Sequence, residues 1–138
     1  MSISVRWATQ ADKHSAVVHE NVPDTVVAAR IAERRLAIAE IGGNTVGALH
    51  LEYLWGTKPY IALIRVLPNA QRRGVGRALL AFVVAMIRED GHTQVYSSSQ
   101  ANESAPQAWH RHMGFAECGF ISRINPGGVD EVFFVKDL

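Results

Sequence analysis

The residues best placed to do chemistry lie together in Gln71-Arg72-Arg73-Gly74-Val75-Gly76-Arg77. The apolar positions that follow, Val75, Leu79, Phe82, Val83, Met86 and Ile87, repeat at helical spacing up to Glu89, and Gly91 supplies a stop. The segment therefore reads as the entry of a helix over 74–89. A helix start carries unpaired N–H groups and about half a positive charge. Acidic side chains normally answer that charge, whereas here Arg72, Arg73 and Arg77 add to it, at roughly 0.3–1 kcal/mol each. A bound anion is the simplest compensation. Gly74 and Gly76 would let the backbone approach it and donate N–H bonds. The competing reading is a solvated basic helix start whose glycines serve only the turn. No Gly-Lys-Ser/Thr follows, so this is not a P-loop.

Elements on both sides must hold this loop. Ile3 to Trp7 alternates as a strand, and Thr9 with Asp12 resembles a capping box opening a first helix. A second helix follows Asp24 as cap, with Val27, Ile31 and Arg34 along one stripe. Leu36 to Ile41 and Thr45 to Leu54 read as strands around Gly42-Gly43-Asn44, a hairpin signal. Tyr60 to Leu67 reads as a buried strand stopped by Pro68. Past the long helix come a strand over Gln94 to Ser99, a short helix opened by a Ser104/Gln107 capping pair and ended at Gly114, and strands Phe115 to Ile121 and Glu131 to Val135. The order predicts an α/β fold built on a mixed sheet.

The 138 residues suit a single domain over 1–138, with 48% apolar and 20% charged residues, enough for a core without staples. The net charge of +1 argues against a general nucleic-acid binder. Cys118 is the one cysteine, so no intrachain disulfide or cysteine-based zinc site is expected; it reads as a small core residue. No metal is expected, since His110 and His112 point to different faces of a helix. Met1 to Thr9 lacks a secretory h-region, and the apolar run Ala78 to Ile87 is too short for a bilayer, so no membrane partner and a cytoplasmic setting are expected.

Gln71-x-x-Gly74-x-Gly76, after a strand ending Val66-Leu67-Pro68 and before an amphipathic helix, resembles the cofactor motif of the GNAT superfamily of N-acetyltransferases. Met113-Gly114-Phe115 resembles that family's second motif, and the element order is similar over nearly the whole chain. The resemblance implies about seven strands flanked by four helices, with strands four and five splayed apart. It implies that backbone N–H groups of Gln71 to Gly76, Val75 included, hold the pyrophosphate of acetyl-CoA. Arg72, Arg73 and Arg77 become phosphate contacts, and backbone around Ile64 to Val66 pairs with the pantetheine arm. Asn102 matches an Asn that often reaches that arm. Members often dimerise through sheet edges or C-terminal strands, so a homodimer is possible.

Acetyl transfer needs a neutral amine, and an alkylamine of pKa about 10.4 costs roughly 4–5 kcal/mol to deprotonate at pH 7. Many members carry a base Glu in the fourth strand, where this chain has Ala62, and an acid Tyr four residues before Gly114, where it has His110. His110 is then the candidate acid, or a cofactor contact, against a structural histidine. Glu52 is the preferred substitute base, with Tyr53 beside it and His50 a weaker option. Trp55 and Tyr53 are candidates to line an acceptor pocket. The implied reaction is direct acetyl transfer to a primary amine of a small molecule, amino acid or peptide. The rivals are a non-catalytic acyl-CoA sensor and a subunit of a protein-acetylating assembly.

Overall fold

The computed structural model describes residues 2–138. Strand β1 (Ile3–Trp7) leads to helices α1 (Ala16–His19) and α2 (Asp24–Ala32), then strands β2 (Leu36–Ile41), β3 (Asn44–Leu54) and β4 (Lys58–Val66). Helix α3 (Val75–Glu89) crosses to β5 (Gln94–Gln100), and α4 (Ser104–His112) precedes β6 (Ala116–Ile121) and β7 (Glu131–Asp137). The seven strands form one sheet in the order β1-β2-β3-β4-β5-β7-β6. Every neighbouring pair is antiparallel except β4–β5, which α3 joins as a parallel crossover.

The two faces carry separate cores. On one, α3 buries Val75, Leu79, Leu80, Val83 and Ile87 against β2, β3, β4 and β5, with Phe134 of β7 below α4. Fully burying each such side chain contributes roughly 1.5–3 kcal/mol. On the other face, Val17, Val18, Val27 and Ile31 of α1 and α2 pack on Leu36, Ile38 and Ala48. Gly47 sits where α3 lands on β3: a Cβ there would lie 2.8 Å from Val75 Cγ1 and 3.1 Å from the Arg65 carbonyl oxygen. No helix of the described residues is long and apolar enough to cross a membrane.

Several local expectations are corrected. Thr9 and Asp12 form the expected capping box, with Thr9 N–H donating to Asp12 at 2.7 Å, but it opens a 3-10 turn over Gln10–Asp12 and not an α-helix; Asp12 also accepts two hydrogen bonds from Arg6, at 2.9 and 3.0 Å. Helix α2 ends at Ala32, and Arg34 stands in the left-handed region at φ 56° outside it. Ser104 is the first residue of α4, not its cap. Gln107 instead donates to the carbonyls of Gln100 and Ala101, tying the helix to the end of β5. Cys118 is exposed, not core: β6 is the outer edge strand and all its side chains are exposed.

Candidate active site

The site begins where β4 and β5 part. Their ladder consists of Tyr60 opposite Tyr96 and Ile61 opposite Ser97, and beyond those pairs the strands are unpaired. A bulge accompanies the parting. In the β3–β4 register, Leu51 faces Ile61 and His50 faces Leu63, which leaves Ala62 without a partner. Such an extra residue bends its strand locally. Ala62, Leu63, Ile64, Arg65 and Val66 thus run on beside a β5 edge formed by Ser98, Ser99 and Gln100. Ser99 Oγ is buried there with no hydrogen-bond partner.

The start of α3 lies beyond the far end of β4. Gly74 caps it at φ +86°, a left-handed conformation that glycine adopts readily, and open space surrounds its missing side chain. No side chain caps the helix and no acid sits in its first turn. Arg72, Arg73 and Arg77 are exposed around it, with Arg77 Nη2 3.3 Å from His112 Nε2. Gln71 donates from Nε2 to the Val66 carbonyl at 3.2 Å, fastening the loop to the strand end. The two glycines differ in purpose. A Cβ on Gly76 would come within 3.3 Å of Trp109 Nε1, so its bareness serves the packing of α3 against α4 as well as backbone access. Asn102 is exposed in the turn between β5 and α4.

His110 lies under α4 at 2% exposure, stacked 4.5 Å from the Phe134 ring with 3° between planes. Its Nδ1 is 2.8 Å from the Pro106 carbonyl, which can only accept, so that nitrogen carries the proton. Nε2 then accepts from Ser97 Oγ at 2.7 Å. Burial holds its pKa below the ordinary histidine value. Both ring nitrogens are therefore engaged within the chain.

The other candidates separate as β3 alternates. Glu52 faces the α1–α2 side, where Oε1 accepts from Arg35 Nη1 at 2.8 Å and Oε2 lies 3.5 Å from Arg30 Nε. Tyr53 faces the α3 side at the far end of that helix, under the Arg35 guanidinium at 4.8 Å and beside the His92 ring at 5.7 Å. Glu52 and Tyr53 thus meet only through the Arg35 guanidinium, which bonds the one and lies over the ring of the other. Trp55 is 85% exposed at the hairpin tip, while Tyr53 lines a surface cleft with Trp7, Arg35 and His92. His50 is fully buried, donating from Nε2 to the Val18 carbonyl at 2.9 Å and accepting at Nδ1 from Arg30 at 3.0 Å. Desolvation, then the Arg30 charge, lower its pKa to about 4.

A polar chain unread in the sequence starts at the head of the parting. Tyr60 hydroxyl lies 2.7 Å from Ser98 Oγ, which donates to Glu131 Oε2 at 2.6 Å. Asn125 Nδ2 donates to Glu131 Oε1 at 2.9 Å, and the Tyr60 ring stacks on Phe133 at 5.8 Å. Alternation along Tyr60–Leu67 and Gln94–Ser99 could have put Tyr60 and Ser98 on one face. Glu131 joins them only because β7, and not β6, lies beside β5.

A sheet parted between parallel strands, with a bare glycine-led helix start at the end of the gap, is the architecture of an acyl-coenzyme A-dependent transferase. Residues 4–115 match the model described as Acetyltransferase (GNAT) family, and the chain belongs to that family. It is 37% identical over 83 residues to an aminoglycoside N(6')-acetyltransferase type 1 of Stenotrophomonas maltophilia, spanning 54% of each chain, so it matches about half the length of that relative. Its fold superposes on ribosomal-protein-alanine N-acetyltransferase from Brucella melitensis with TM-score 0.78 and 25% identity, over 98% of this chain and 99% of that one. A chain of the NatC complex bound to Gag peptide and CoA superposes with TM-score 0.82 and 13% identity, over 100% and 99% of the two chains.

Proposed function

We propose that this chain transfers the acetyl group of acetyl-CoA to a primary amine by direct attack with both substrates bound. The observation that carries the reading is the alignment of the β4–β5 gap with the uncapped start of α3. A slender pantetheine arm fits a gap where strand edges lack partners. Its diphosphate fits N–H donors flanked by Arg72, Arg73 and Arg77. The buried, partnerless Ser99 Oγ beside the gap is a further polar group that such an arm could satisfy. In this reading Gln71 holds the loop in place, Gly74 gives the turn, and Val75 and Gly76 donate from the helix start. Asn102 reaches the arm from the opposite side, and backbone of Ile64 to Val66 completes its partners.

Within the same proposal, His110 fixes α4 to β5 and β7 and does not deliver a proton to the leaving thiolate, because both its nitrogens are already bonded. Glu52 organises Arg30 and Arg35. The acceptor is an amine of a small molecule or a peptide terminus, a range that spans the aminoglycoside and ribosomal-protein enzymes to which the chain is similar. A cytoplasmic setting belongs to the same proposal. The test is acetyl-CoA-dependent thiol release against amino acids, polyamines, aminoglycosides and peptides with free N-termini. Release that rises with one acceptor and yields its amide supports the reading. Absence of acetyl-CoA binding refutes it.

A further inference from the structure

We infer that Glu131 is the proton acceptor for the incoming amine, reached through the Ser98 hydroxyl, with Tyr60 orienting that hydroxyl at the head of the β4–β5 gap. The inference rests on the acetyl-transfer reading above. Three observations carry it.

The first is position. Ser98 is the first β5 residue beyond the Ile61–Ser97 pair, so its hydroxyl stands where the strands begin to part. It faces the α1–α2 side, away from His110 and α3. The second is that Glu131 has no cationic partner among the described residues. Its two oxygens accept from Ser98 Oγ at 2.6 Å and Asn125 Nδ2 at 2.9 Å, both neutral donors. Glu52, by contrast, contacts both Arg30 and Arg35. The third is Ala62, which leaves the strand that borders the gap with no carboxylate of its own. Glu131 supplies one from β7, a strand away, and the serine spans the distance.

The proton path balances. A bound ammonium gives one proton to Ser98 Oγ while Ser98 passes its own to Glu131 Oε2. The neutral nitrogen bonds to the acyl carbon, the bond from that carbon to sulfur breaks, and the second nitrogen proton ends on the thiolate. Glu131 then returns its proton to solvent. The titratable and charged groups around this path are Tyr60 on β4, Glu52 on β3 and Arg30 on α2. His110 under α4 senses the Glu131 charge across the sheet. Burial, which outweighs the lowering effect of the Ser98 hydrogen bond, raises the Tyr60 pKa, so its hydroxyl stays protonated at neutral pH.

The experiment measures kcat/KM against pH for the whole chain, using acetyl-CoA and the fastest amine of the panel above. It compares Glu131→Gln, Ser98→Ala and Ser98→Thr, with acetyl-CoA affinity measured alongside by calorimetry. Glu131→Gln is expected to lower kcat/KM about 10²–10⁴-fold at pH 7 with acetyl-CoA affinity unchanged. Its rising limb moves toward the amine's own pKa of about 10.4, because only the pre-deprotonated fraction then reacts. Ser98→Ala behaves likewise, and Ser98→Thr, which keeps a hydroxyl, regains most of the rate. Wild-type turnover with an unchanged rate and pH profile in Glu131→Gln overturns the relay while leaving the acetyl-transfer reading intact. A wild type that binds acetyl-CoA but acetylates no amine overturns both.

Discussion

Replacing His110 by alanine separates a structural role from a chemical one. The ring is buried, stacks on Phe134 at 4.5 Å and bonds Ser97 and the Pro106 carbonyl. Losing a stacked pair costs about 0.5–1.5 kcal/mol. Leaving Ser97 Oγ buried without its partner costs about 1–3 kcal/mol, and the vacated volume adds to this. A loss of about 3–5 kcal/mol is expected, a large share of the ~5–15 kcal/mol by which domains are usually stable. Urea unfolding followed by circular dichroism measures it, with turnover corrected for the folded fraction at low temperature. The corrected turnover should stay within about tenfold of wild type. A stability change under about 1 kcal/mol, joined to a turnover loss of several hundredfold, would refute the structural assignment and restore His110 as a proton donor.

Gly47→Ala should cost roughly 1–3 kcal/mol by overpacking, since its Cβ would meet Val75 Cγ1 at 2.8 Å and rigid backbone at 3.1 Å; a melting curve reads this. Gly74→Ala meets open space but must hold φ +86°, a strain of roughly 1–2 kcal/mol, and is expected to weaken acetyl-CoA binding at least about tenfold by calorimetry. Acid should destabilise the protein in a defined window. His50 stays neutral in the fold down to about 4, whereas unfolded histidine protonates near 6.5. The unfolded chain therefore takes up the proton first, and stability falls by about 3 kcal/mol as pH drops from about 6.5 to about 4. His50→Gln should flatten much of that slope in pH-dependent melts, and an unchanged slope would place the titration elsewhere.

The secondary elements were legible because they rest on local periodicity. The α3 stripe and the Gly42-Gly43 hairpin appear where the spacing puts them. The parting of the sheet was accessible only through the resemblance, because nothing in Ala62 or Ser98 announces that their strands separate. Errors arose where a residue had two possible partners. Asp12 caps its turn and binds Arg6 at once, so the capping signal was legible but the element it opens is a 3-10 turn, not an α-helix. Ser104 could cap α4, but Gln107 secured that end by reaching back to β5. Cys118 read as core because cysteine in a strand usually behaves as a small buried residue, yet the edge position of β6 leaves all its side chains exposed. The Tyr60–Ser98–Glu131 chain draws on three strands distant in sequence, and pairing of β5 with β7 had no local signature.

The seven-stranded sheet is two antiparallel blocks, β1 to β4 and β5-β7-β6, stitched across the middle by two residue pairs. A molecule whose amides and carbonyls lay along that seam would act as a substitute strand, supplying hydrogen bonds that the protein leaves unmade between its halves. The co-substrate would then be mortar as well as reagent. Its departure after each turnover would return the enzyme to its least braced state.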